Sequence, residues 1–105
     1  MVKLLKKRYI GFRFFSHEFF RKNDVFNLLK KELRVINENK ENKTYIRLLV
    51  YENSLGILLC DHKSVNKIRD LFNRINKKNN KNILIKIINV SGTIKAVKHK
   101  IFKTI

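Results

Sequence analysis

Near the end of the chain, Ser91-Gly92-Thr93 stands before Ile94, Val97 and Ile101, the pattern of a capped helix start followed by one buried stripe. The first amides of a helix are unpaired donors at the positive end of its dipole, and a glycine beside them lets a ligand approach the backbone. With Lys95, Lys98 and Lys100 facing out, this constellation fits a phosphate. An ordinary N-capped helix with a solvated basic face has the same pattern. At the opposite end of the chain Lys6, Lys7 and Arg8, leading into the first strand, are the second group of candidate phosphate contacts.

A different chemistry is written in the aromatics. Arg8 to Ser16 reads as a strand with Ile10, Phe12 and Phe14 on one face and Tyr9, Gly11, Arg13 and Phe15 on the other. If helices cover the first set, the open sheet face carries Tyr9, Arg13, Phe15, Tyr45, Arg47, Tyr51 and Lys86. Aromatics mixed with arginine on an open sheet suit base stacking and a protein interface equally well.

Catalytic constellations are missing. Glu18, Asp24, Glu32, Glu52, Asp61 and Asp70 fall on different elements with no shared-face spacing, whereas a metal-dependent nuclease needs convergent carboxylates. His17, His62 and His99 are far apart, and His62 beside Asp61 is not read as a dyad, because neighbours on a strand or helix point apart. No catalytic residue, no metal ligand and no bound cofactor is expected. Cys60, at the end of an apolar run, reads as a small buried hydrophobe.

The elements that must position these residues are bounded by size and charge. At 105 residues there is room for one domain, 1–105, and one core. Zero Pro and a single Cys exclude a disulfide framework and a four-cysteine zinc module and suit a reducing, cytoplasmic compartment. No signal peptide and no membrane span is expected. The 25 Lys and Arg outnumber 8 Asp and Glu, a net charge of +17, concentrated at both ends: +6 over residues 1–23, +1 over 24–60 and +10 over 61–105. The abundance of Lys, Ile and Asn fits a codon bias toward A and T, but such a bias does not explain the near-neutral middle. Polyanions bind such a surface by counterion release, so the expected partner is nucleic acid, with an anionic membrane the weaker option.

Asp24 is positioned to cap a helix whose Val25, Leu28, Leu29, Leu33 and Ile36 recur at three-and-four spacing. A polar loop over 37–43 leads to strand-like runs at Thr44 to Glu52 and Leu55 to Cys60, a hairpin turning at Asn53-Ser54. A second helix buries Val65, Ile68, Leu71, Phe72 and Ile75, with Asp70 and Arg74 able to pair outside; a loop over Asn76 to Asn82 and a strand over Ile83 to Val90 follow. The order strand, helix, strand, strand, helix, strand is that of an α+β, ferredoxin-like (RRM-like) two-layer sandwich. It has a four-stranded antiparallel sheet with two helices on one face, plus a short basic C-terminal helix.

Val90-Ser91-Gly92-Thr93-Ile94-Lys95 and the basic run through Lys100 resemble the archaeal and eukaryotic ribonuclease P protein component 2 family. So do Arg8-Tyr9-Ile10-x-Phe12, the strand Gly56-Ile57-Leu58-Leu59-Cys60-Asp61 and the order of elements, over residues 7–102. The departure is Asn37-Glu38-Asn39, where the family would have glycine; Asn tolerates the left-handed helix cap. The resemblance implies a non-catalytic subunit of the ribonucleoprotein endonuclease that removes 5′ leaders from precursor tRNA, whose active site and Mg lie in the RNA. It also implies a TIM-barrel-like protein subunit as partner and self-association in a heterotetramer. A general RNA-binding module of another ribonucleoprotein, such as a ribosomal protein, shares the charge and size and predicts no effect on leader cleavage. An interaction protein with merely compositional lysines predicts binding that vanishes at moderate salt.

Overall fold

The computed structural model describes residues 6–37, 45–78 and 82–103. Its elements are β1 (Lys7–Phe15), α1 (Lys22–Asn37), β2 (Arg47–Glu52), β3 (Leu55–Asp61), a 3-10 turn (His62–Ser64), α2 (Val65–Lys78), β4 (Leu84–Ser91) and α3 (Ile94–Lys103). The four strands form one sheet in the order β2-β3-β1-β4, every neighbouring pair antiparallel. This is the expected ferredoxin-like arrangement.

Alternation along β1 divides the molecule. Ile10, Phe12 and Phe14 are buried against Val25, Leu29 and Leu33 of α1 and Ile68, Leu71, Phe72 and Ile75 of α2. The Phe12 and Phe72 rings meet edge to face at 5.4 Å. On the other face a second cluster joins Leu55 and Ile57 of β3 to Val97 and Ile101 of α3. The C-terminal helix therefore lies on the sheet face away from α1 and α2, and adds a partial third layer to the sandwich.

Gly11 admits that helix. A Cβ at this position would lie 2.6 Å from Ile101 Cγ2 and 2.7 Å from Val97 Cγ1, so α3 sits directly on the β1 backbone. The β2–β3 hairpin turns on Asn53 and Ser54 with φ of 52° and 65°, the left-handed pair that a two-residue hairpin requires. Asn and Ser supply it without glycine.

Two irregularities change which side chains share a face. Leu49 is an extra residue between Leu48, opposite Leu58, and Val50, opposite Ile57; Ile88 is the extra residue in β4, between Ile87, opposite Phe12, and Asn89, opposite Gly11. Each bulge shifts the alternation by one residue, so a strand changes face along its length. Tyr51 is thereby moved off the open face and packs its ring against Phe14 at 6.2 Å in the main core. Burial raises its phenol pKa, against which a hydrogen bond with Ser54 acts in the lowering direction.

Helix ends and edges differ in detail from the expectations. α1 begins at Lys22, and Asp24 sits inside its first turn, with its carboxylate accepting the Arg21 N–H at 3.1 Å rather than capping from outside. Residues 76–78 continue α2 instead of opening a loop, because Asn76 has a structural task at the edge strand β4. Its amide donates to the Ile85 carbonyl (3.1 Å) and accepts the Ile85 N–H (2.7 Å), pairing an edge backbone that would otherwise be open. Glu38 to Lys43 and Asn79 to Lys81, within the two expected loops, lie outside the described residues, as do Thr44, the expected start of the second strand, and the side chain of Ile36; β2 itself begins at Arg47.

Candidate nucleic-acid interface

Antiparallel pairing brings the two basic ends of the sequence together. Tyr9 stands opposite Ser91 in the β1–β4 ladder, which sets Arg8 beside Gly92. The contact is close: a Cβ on Gly92 would be 3.4 Å from Arg8 Nη1, the same nitrogen that donates to the Lys7 carbonyl at 2.9 Å. On the other side of β1, Lys7 is opposite Asp61 and the Lys6 carbonyl accepts the His62 N–H at 2.9 Å. Lys6, Lys7, Arg8, Ser91, Gly92 and Thr93 thus form one end of the sheet.

The α3 start is built as its sequence suggests. Thr93 is the cap, its Oγ1 accepting the Ala96 N–H at 3.3 Å, while Ser91 Oγ accepts the Thr93 N–H at 3.4 Å. Among the described residues, the Ile94 and Lys95 amides of the first turn have no acceptor, the donors that an anion would use. Lys95, Lys98 and Lys100 are all exposed. They do not act as one group. Helical spacing puts Lys95 and Lys98 on one flank of α3 and Lys100 on the opposite flank, on either side of the stripe Ile94, Val97 and Ile101 that meets the sheet.

Asp61 and His62 do meet, contrary to the expectation for chain neighbours: His62 Nδ1 lies 2.9 Å from Asp61 Oδ1. The chain leaves β3 at Asp61 and enters a 3-10 turn at His62, so the alternation that would separate them has ended. Cys60, just before them, is fully buried. Burial foremost, then the Asp61 charge, push its thiol up to about 11, while Arg8 pulls it down. At pH 8 it should resist maleimide until the protein unfolds, and labelling at the rate of a free thiol peptide would contradict the burial.

The aromatic face is only partly open. Tyr9 is half-buried against the α3 cluster, Tyr51 is on the other face, and Tyr45 and Arg47 are exposed beside β3. What remains uncovered is the far end of β1 and β4. There Phe15 (42% exposed) is opposite Leu84 (40% exposed), and Arg13 is opposite Lys86. The Arg13 guanidinium lies 5.8 Å from the Phe15 ring centre. The sheet thus carries a basic cluster beside the start of α3 at one end and an apolar, cationic patch at the other.

Sequence spacing missed one charged group altogether. Arg74 does not pair with Asp70; it turns to Glu32 of α1, which also takes Lys78. Charged partners from two helices leave no local signal.

Comparisons with known proteins agree with this architecture. Ribonuclease P protein component 2 of Pyrococcus horikoshii is 33% identical over 98 residues, covering 90% of this chain and 82% of that protein. The protein of the same name from Methanosarcina mazei is 28% identical over 96 residues, covering 90% and 83%. A chain of the cryo-EM structure of yeast ribonuclease MRP has the same fold at 11% identity, with a TM-score of 0.57 over 99% of this chain and 92% of that one. The family model described as the Rpp14/Pop5 family matches residues 8–102, nearly the full length, and the chain belongs to that family.

Proposed function

We infer that this chain is a protein subunit of ribonuclease P, binding and stabilising the RNA that removes 5′ leaders from precursor tRNA. The observation that carries this reading is the family match over residues 8–102, with relatives named ribonuclease P protein component 2 over nine-tenths of the chain. The chemistry of the surface is in keeping with it. A net charge of +17, with Arg8, Gly92 and Lys95 drawn to one end of the sheet, suits phosphates held close together in a folded RNA.

In this role the protein supplies cations, and the RNA supplies the active site and its Mg. Lysine and arginine offset phosphate repulsion where RNA strands crowd, so the RNA reaches its active geometry at lower free Mg. The exposed Phe15 and Leu84 suit contact with a second protein, the TIM-barrel-like subunit of the same particle, through which a heterotetramer would form. The reading carries with it an archaeal, cytoplasmic particle acting on precursor tRNA.

Reconstitution tests it. Adding this chain and the TIM-barrel-like subunit to ribonuclease P RNA should lower the Mg needed for leader cleavage. Recovery from cells in about 0.3 M salt, which strips most non-specific phosphate contacts, should retain that RNA. Retention of ribosomal RNA with no effect on cleavage would assign the chain to a different ribonucleoprotein.

A further inference from the structure

The layer formed by α1 and α2 is also strongly basic, with ten Lys and Arg against three Asp and Glu over residues 22–37 and 62–78. One of those acids is out of place. Glu32 is 6% exposed, between two helices, where a carboxylate is costly to bury. Lys78 Nζ bonds its Oε1, and Arg74 Nε stands 3.7 Å from its Oε2, which has no hydrogen-bond donor among the described residues.

The group nets one positive charge, and its two cations are nearly half exposed, at 46% and 48% of their side chains. An arginine carries five N–H donors in a planar fork, and contact through Nε leaves the terminal nitrogens to bind elsewhere. A leucine in place of Glu32 would fill the same space without the desolvation cost, so helix packing alone does not call for a charge here. What the carboxylate adds is position: two long, flexible cations are held together at the surface before any ligand arrives.

We propose that Glu32 preorganises Arg74 and Lys78 as a clamp for an RNA phosphate, a second RNA contact on the sheet face away from α3. This rests on the RNA-binding reading above and extends it. With the α3 lysines serving the other sheet face, the protein spans two RNA segments and holds them at a fixed separation. Glu32 is a positioning residue; the phosphate is touched by Arg74 and Lys78. Preorganisation raises affinity because the side chains are already ordered when the ligand binds.

Two variants test it on ribonuclease P RNA. Glu32→Leu keeps both cations and removes their anchor. Loss of a negative charge strengthens binding to a polyanion through the general field. Affinity is nevertheless expected to fall about tenfold, with Tm held or raised. Unchanged or tighter binding overturns the proposal.

The triple variant E32L/R74A/K78A leaves no unpaired charge buried, so it folds. The slope of log K against log salt should become shallower by about 0.7–0.9, the share of the one phosphate it holds. One segment of the hydroxyl-radical footprint should vanish, while the segment sensitive to Lys95→Ala and Lys98→Ala persists. A wild-type slope and footprint would mean that the group is only a helix staple. Loss of a protein subunit in place of an RNA segment would make it a protein contact; either result overturns the clamp. If the wild-type chain itself does not bind this RNA, the ribonuclease P reading falls first and the clamp with it.

Discussion

Replacing Arg8, Lys95 and Lys98 together by alanine is expected to weaken binding to ribonuclease P RNA about a hundredfold near 0.15 M salt, and to make the salt slope shallower by about two to three. The reason is counterion release: each phosphate neutralised by a cation contributes just under one unit of slope, and the variant removes three cations. Arg8 lies against Gly92, and Lys95 and Lys98 occupy one flank of α3. Lys95 and Lys98 are exposed and Arg8 is half-buried at the strand end, so Tm should fall only slightly. Leader cleavage in the reconstituted particle should then require more Mg. Lys100→Ala, on the opposite flank, is the internal control and should cost little. A wild-type salt slope in the triple variant, or an equal loss from Lys100→Ala, would mean that this end of the sheet does not touch phosphate.

The second large effect concerns Gly11. Gly11→Val should destabilise the protein by about 2–3 kcal/mol, a fall of roughly 10–20 °C in Tm for a domain of this size. Even a single Cβ would stand 2.6 Å from Ile101 and 2.7 Å from Val97, both fully buried side chains that cannot swing into solvent without lifting α3. RNA binding should suffer as well, because a displaced α3 carries Thr93, Lys95 and Lys98 away from Arg8. A double-mutant cycle separates this from general disruption. Gly11→Ala and Ile101→Ala should each destabilise, and the combination should cost less than the sum, since the smaller side chain makes room for the new methyl. Additive losses would show that the two positions do not meet.

The fold and the capped start of α3 were legible in the sequence because they rest on local rules. Apolar spacing set the helices around Leu29 and Leu33 and around Leu71 and Phe72, and the Asn53-Ser54 break placed the hairpin. Thr93, followed by Ile94, Val97 and Ile101, marked a capped helix with one buried stripe, as found. The pattern of Arg8 to Phe12 and Val90 to Lys95 pointed to the family to which the chain belongs.

Where α3 lies was not legible, because its apolar stripe is satisfied by any apolar surface; only the room above Gly11 selects the second sheet face. Tyr51 was assigned to the wrong face because a strand's alternation holds only while its register does, and the extra residue Leu49 breaks it. The basic stretch after residue 60 reads as one block in the sequence, yet α2 and α3 carry it to opposite faces of the sheet. The pairing of Glu32 with Arg74 and Lys78 spans more than forty residues, a separation across which side-chain type carries no information about contact. Composition and short-range spacing thus determined the elements, the charge and the family. Long-range packing decided which charges meet and which stand apart, because distances between side chains on different elements exist only once those elements have docked.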